Sequence, residues 1–169
     1  INEEDKMSIQ AEARVLRAFF YYYLTNTFNG VPFYTCMVKD MQTMEMIRTL
    51  PRTDARIIRT TLYEDLRDNA IPYLPEVRAS EVKGNRMGYA MGLMLMGKFA
   101  MWNKEWTLAL EPLQKLESLY GTLDEANYPL EETVWWKKNT KESIFEVQHE
   151  QEADGIQDTS TVCTNMYPV

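Results

Sequence analysis

Few residues in this chain have the type and spacing that chemistry demands. His149 is the only histidine, and no second imidazole follows it at zinc-ligand spacing. Neighbouring carboxylates such as Glu3-Glu4 and Glu131-Glu132 point away from each other on a helix. A glycosidase needs two carboxyls opposed across a cleft, a relation that spacing alone does not reveal. There is no Gly-x-Ser-x-Gly elbow and no glycine-rich phosphate cradle. Met37, Met41, Met44 and Met46 carry soft thioethers, but flexible gap-filling is the commoner use of such residues than copper ligation. The chain therefore reads as a non-enzyme, with no catalytic residue, no metal ligand set and no cofactor. The residues best suited to binding are Asn29, Phe33 and Tyr34. They combine an amide with two aromatic faces just past Gly30, outside any helical stripe, where a rigid scaffold can present them. Trp102 and Trp106 compete for that role, but their helical positions assign them to core packing.

The elements that must hold these residues are helices. From Val15 to Leu24 only Arg17 is charged, and five consecutive positions, Phe19 to Tyr23, are aromatic. The apolar residues do not alternate, which excludes a strand. Ile9, Ala13, Leu16, Phe20 and Leu24 form one stripe, and Val15, Phe19, Tyr22 and Asn26 a second, so the helix is expected to be central and covered on several sides. On that reading Phe19 to Leu24 are largely buried, Arg17 is paired with a carboxylate, and Phe20→Ala costs ~3–5 kcal/mol.

Composition agrees with a globular chain. The 169 residues, 45% hydrophobic and 25% charged, suit one domain with a real core. A net charge of −7 argues against nucleic acid and anionic membranes as partners. The longest uncharged apolar stretch, Met87 to Gly97, falls short of the ~20 residues that a membrane span needs. Cys36 and Cys163 allow one disulfide or two free thiols. The chain starts at Ile1 with no signal peptide or lipid-acceptor cysteine, so a fragment of a longer protein is expected.

In order, the pattern predicts helices over about 3–28, 53–73, 85–102 and 104–120. Asn2 caps the first, with Glu3, Glu4 and Asp5 in its first turn, and Asn29-Gly30 with Pro32 ends it. Glu12, Arg14 and Arg17 are expected to pair with a neighbouring helix. Residues 33–52 read as a Met-rich loop. Thr53 caps the second helix, whose stripe is Ile58, Leu62, Leu66, Ala70 and Tyr73, and Asp65 is expected to bond an arginine. Asn85 caps the third, where Gly88, Gly92 and Gly97 allow another backbone to approach. The fourth carries Trp106, Ala109, Leu110, Leu113, Leu116 and Tyr120, with Pro112 expected to kink or divide it. Ser143 to Val147 alternates like a short strand.

These segments, in their order, resemble the SusD/RagB family. The carriers are Glu-Ala-Arg and Leu-Arg-Ala before the aromatic run, Gly30-Val31-Pro32, Pro51-Arg52-Thr53, the Asp65-Leu66 pair and Tyr73-Leu74-Pro75. Gly84-Asn85-Arg86 approximates the family's Gly-Arg with one residue inserted. Asn139 to Gln148 is similar to its Asn-x-x-Glu-x-Ile-Phe-Glu-x-Gln segment, and Trp135-Trp136 stand where the family has a hydrophobic pair. The resemblance implies a mainly α fold of tetratricopeptide-like helix hairpins, an α-α superhelix with a small irregular or short-strand C-terminal segment. The third and fourth helices would make one hairpin of ~34 residues, with Trp106-x-x-Ala109 opening its second half. It also implies a surface lipoprotein of the Bacteroidota outer membrane that binds an oligosaccharide or polysaccharide and delivers it to a SusC-like TonB-dependent transporter. Attachment would be through an N-terminal lipid anchor absent from this chain. Asn29, Phe33 and Tyr34 would then contact the sugar. The alternatives are a peptide-binding member of the family and, from a different class, a tetratricopeptide-like protein-interaction scaffold with no small ligand.

Overall fold

The computed structural model describes residues 2–81, 86–132, 137 and 140–146. Helix α1, Glu3–Phe28, begins where the Asn2 side chain accepts the Asp5 N–H at 2.7 Å. It ends where Asn29 turns to φ 60°, a conformation that asparagine tolerates better than most residues. Val31–Pro32 (β1) then pairs antiparallel with Arg52–Thr53 (β2), Val31 opposite Thr53 and Pro32 opposite Arg52. A Cβ on Gly30 would lie 2.7 Å from the Thr53 carbonyl oxygen, so only glycine lets the two segments come this close.

The excursion between these strands departs from the expected loop. It carries an α-helix, α2, Met41–Arg48, capped by Asp40, whose carboxylate accepts the Thr43 N–H at 2.7 Å. That hydrogen bond holds the Asp40 carboxyl below its ordinary range. Met37, Met41 and Met44 were already at i, i+4, i+7 spacing, a helical signal. No residue of α2 is buried.

Helix α3 is Ala55–Asn69, shorter at both ends than the expected 53–73. Its cap is Asp54, not Thr53, and accepts the Arg56 N–H at 2.8 Å. Pro72 disfavours helix at Ile71 and removes a donor, so Ile71–Tyr73 is a 3-10 turn. Ile58, Leu62, Leu66 and Ala70 are buried as the stripe requires, whereas Tyr73 is exposed. Ala79–Glu81 makes a further 3-10 turn. Helix α4, Tyr89–Trp102, starts from Gly88, and the expected cap Asn85 lies outside the described residues. Helix α5 is Trp106–Tyr120.

The central helix is α4, not α1. Tyr89 to Leu93, Leu95 to Gly97, Phe99 and Ala100 are buried, and α1, α3 and α5 all pack on α4. Its glycines admit side chains rather than another backbone. A Cβ on Gly92 would sit 2.8 Å from Ile71 Cδ1, and one on Gly97 2.7 Å from Leu113 Cδ2. Helix α1 buries only one stripe, Ala11, Val15, Ala18, Tyr21 and Thr25. The stripe of larger residues expected inside faces out: Ile9, Leu16, Leu24 and Phe20, the last 57% exposed, and Tyr23 is exposed too. The reason is steric. Small residues let α1 lie against α3 and α4, and Phe20 would hold it away.

Polar bonds fix the helix pairs. Arg14 and Arg17 both donate to Asp65 on α3, Arg17 at 2.5 Å, and Glu12 pairs with Arg86 at 2.8 Å. Pro112 neither ends nor divides α5. The carbonyl its missing N–H would have met belongs to Leu108, and that oxygen accepts the Tyr63 hydroxyl at 3.2 Å from α3. Beyond a 3-10 turn at Leu130–Glu132 the described chain is irregular. The strand expected from Ser143 is absent through Glu146. The Ser143 N–H closes a turn on Thr140 at 3.1 Å, and its carbonyl takes the Tyr120 hydroxyl at 2.9 Å.

Candidate functional site

The loop that leaves α1 is built on one hydroxyl. Tyr21 Oη accepts the Tyr34 N–H at 3.2 Å and lies 3.4 Å from the Pro32 carbonyl oxygen. Burial pushes the Tyr21 pKa up, against the lowering effect of that backbone N–H. Phe33 meets the Tyr21 ring edge-on, centroids 5.0 Å apart, and is half-buried against the core. Asn29 and Tyr34 are exposed. The structure thus brings the three expected binding residues onto one short, braced loop, with Phe33 committed largely to packing and Asn29 and Tyr34 turned outward.

The tryptophans behave differently from expectation. Trp102 is 53% and Trp106 62% exposed, so neither is core. They flank the turn that joins α4 to α5, Trp102 ending one helix and Trp106 opening the other. The Arg59 guanidinium lies 5.3 Å from the Trp102 ring centre, a cation–π distance. Arg59 is itself tied to the Thr25 carbonyl at 3.2 Å and Asn26 Oδ1 at 3.1 Å. Trp135, Trp136, His149 and Cys163 lie outside the described residues. Cys36 is exposed and is in no disulfide among the described residues.

A groove runs between α1 and α4. Its volume is about 310 Å³, and its walls are Phe19, Tyr22 and Tyr23 from α1, Met91, Met94, Leu95 and Lys98 from α4, and Ile144 and Phe145 from the C-terminal segment. The rings stand edge-to-face, with Phe19 5.0 Å from Tyr23, Tyr22 5.6 Å from Tyr23 and Phe19 5.7 Å from Phe145. Lys98 Nζ lies 5.2 Å from the Tyr22 ring centre. Sequence reasoning missed this place, although Lys98 is the only charge between Tyr89 and Trp102 and so stood out. The helical period does not say that the second stripe of α1 meets α4 across an open seam.

Among the described residues no group of three or more His, Cys, Asp or Glu is placed to hold a metal ion. No described helix is long and apolar enough to cross a membrane. The loop presents an amide and an aromatic face, and the groove presents aromatic faces beside one ammonium, surfaces suited to a ligand with flat apolar faces and polar groups.

No family model matches the chain. It is 30% identical over 118 residues to the SusD-like protein P25 of Formosa agariphila, across 70% of this chain and 21% of that protein. In three dimensions it is similar to a crystal structure of a SusD-like protein from Bacteroides fragilis, with a TM-score of 0.67 and 22% identity over 92% of this chain. The chain spans 21% of the first relative's length and 30% of the second's. The sequence likeness and the shared helical fold agree with the ordered motifs, and the chain belongs to the SusD/RagB family.

Proposed function

We propose that this chain is the helical domain of a surface-exposed outer-membrane lipoprotein that captures an oligosaccharide and passes it, unaltered, to a SusC-like TonB-dependent transporter. The observation that carries this reading is the 30% identity to a SusD-like protein over 118 residues. Residues 1–169 act as one domain, with helix surfaces facing the transporter and the Asn29–Tyr34 loop facing the sugar. In that loop Asn29 and Tyr34 make the contacts and Phe33 braces them against Tyr21. The rigid setting supports this role, since a preorganised loop loses little entropy on binding. A peptide ligand is the second reading. It draws support from Met37, Met41, Met44 and Met46, all exposed, because thioether-rich surfaces adapt to apolar side chains.

The test is to affinity-purify the full-length gene product from its native membrane and to incubate the purified protein with candidate polysaccharides. A co-purifying outer-membrane barrel and no release of shorter sugars is the expected result. Sugar release that disappears in a carboxylate variant would overturn it.

A further inference from the structure

We infer that the groove between α1 and α4 is a subsite for an anionic sugar residue, a uronate or a sulfated sugar. This rests on the reading that the ligand is a saccharide, and adds its charge class and a place for it. The groove has the two components such a residue needs. Phe19, Tyr22 and Tyr23 supply aromatic surface in differently inclined planes, and the Tyr23 ring is 56% exposed. Lys98 supplies the counter-charge, and of the nine residues lining the groove it alone is charged.

The state of Lys98 is the telling feature. The chain has 25 acidic against 18 basic side chains, so a carboxylate partner is easily found on most surfaces. Lys98 is nevertheless half-buried, rests on the Tyr22 ring, and has no ion pair with a carboxylate among the described residues. A partly desolvated ammonium is stabilised by a paired anion. A carboxylate or sulfate seated on the aromatic wall would complete it with a charge-assisted hydrogen bond. A neutral sugar would use the rings but offer the ammonium only hydroxyl oxygens, and an apolar polypeptide segment only backbone carbonyls, both weaker partners than a carboxylate or sulfate. The net charge of −7 is no obstacle, because charges farther than ~8 Å are largely screened at physiological salt. The groove is also preformed, held by buried α4 on one side and by Phe145 against Phe19 on the other.

The experiment is calorimetric titration of the full-length gene product with three trisaccharides: a trigalacturonate, a sulfated galactan fragment and neutral maltotriose. Wild type is compared with Lys98→Gln and Tyr23→Ala, each checked for an unchanged melting temperature. The expected result is binding of at least one anionic trisaccharide, weakened roughly tenfold or more by Lys98→Gln, with maltotriose weaker and indifferent to that change. Preference between the two anionic sugars tells uronate from sulfate. The inference is overturned if folded Lys98→Gln binds the anionic sugars as wild type does, if maltotriose binds as tightly as they do, or if neither anionic sugar binds. It is also overturned if Tyr23 resists nitration in the sugar-free protein, because polypeptide would then fill the groove. Saccharide capture itself survives any of these so long as some glycan, neutral or anionic, binds, and falls only if none does.

Discussion

Single side chains show how much of this structure depends on one well-placed hydroxyl. Tyr63 satisfies the Leu108 carbonyl that Pro112 leaves free, and Tyr63→Phe is expected to cost about 1–2 kcal/mol in urea denaturation. Asp65 pairs with Arg14 and Arg17 together. Asp65→Ala should therefore cost more, about 3 kcal/mol, by leaving two partly buried guanidinium groups unpaired. Phe20 is the reverse case. With its ring 57% exposed, Phe20→Ala in this chain is expected to cost below about 1 kcal/mol rather than the core value. The tyrosines also set the pH response. Burial, then the hydrogen bond to Glu76, pushes the Tyr89 pKa from 10.0 to about 12, and burial raises Tyr21, Tyr63 and Tyr120 as well. The folded state thus favours the neutral phenol. Its contribution is complete below pH 10.0 and is lost as pH rises toward about 12. Urea midpoints should fall as pH rises from 10.0 toward about 12, and fall less steeply in Tyr89→Phe.

At the scale of elements, the sequence revealed periods and caps but not which face turns inward. Asn2, the aromatic run and Asn29-Gly30 delimited α1 correctly, because capping and helix-ending are local. The choice between its two stripes was not local. It depended on how near α3 and α4 could come, and Ala11, Val15 and Ala18 allowed the nearer approach. For the same reason α4, short but apolar on all sides, was readable as buried and was passed over for the longer α1. The strand expected at Ser143 has no partner strand among the described residues, and alternation cannot supply one. Of the candidate site, the Asn29–Tyr34 loop was legible from Gly30 and its aromatic neighbours. The exposure of Trp102 and Trp106 was not, since a helical stripe does not announce where the bundle ends. Two glycines separate backbone from side-chain constraint. Gly30→Ala meets the rigid Thr53 carbonyl oxygen and should cost about 1–3 kcal/mol. Gly97→Ala meets the flexible Leu113 side chain, and its gain in helix propensity, about 1 kcal/mol, should offset most of that clash. Paired thermal melts of the two variants decide the point.

For the molecule as a whole, α1, α3, α4 and α5 make a small helical stack whose outer faces carry aromatic rings, amides and thioethers. Its likeness to SusD-like proteins in sequence and in fold is the ground for the use proposed for those faces, the display of a saccharide to a transporter. The central claim is that a saccharide is the ligand. The most direct measurement is calorimetric titration of the full-length gene product against a panel of neutral and acidic polysaccharides, with peptides of matched size as controls. Saturable binding of at least one polysaccharide, and none of the peptides, is the predicted result. Binding of the peptides with no polysaccharide bound would contradict it.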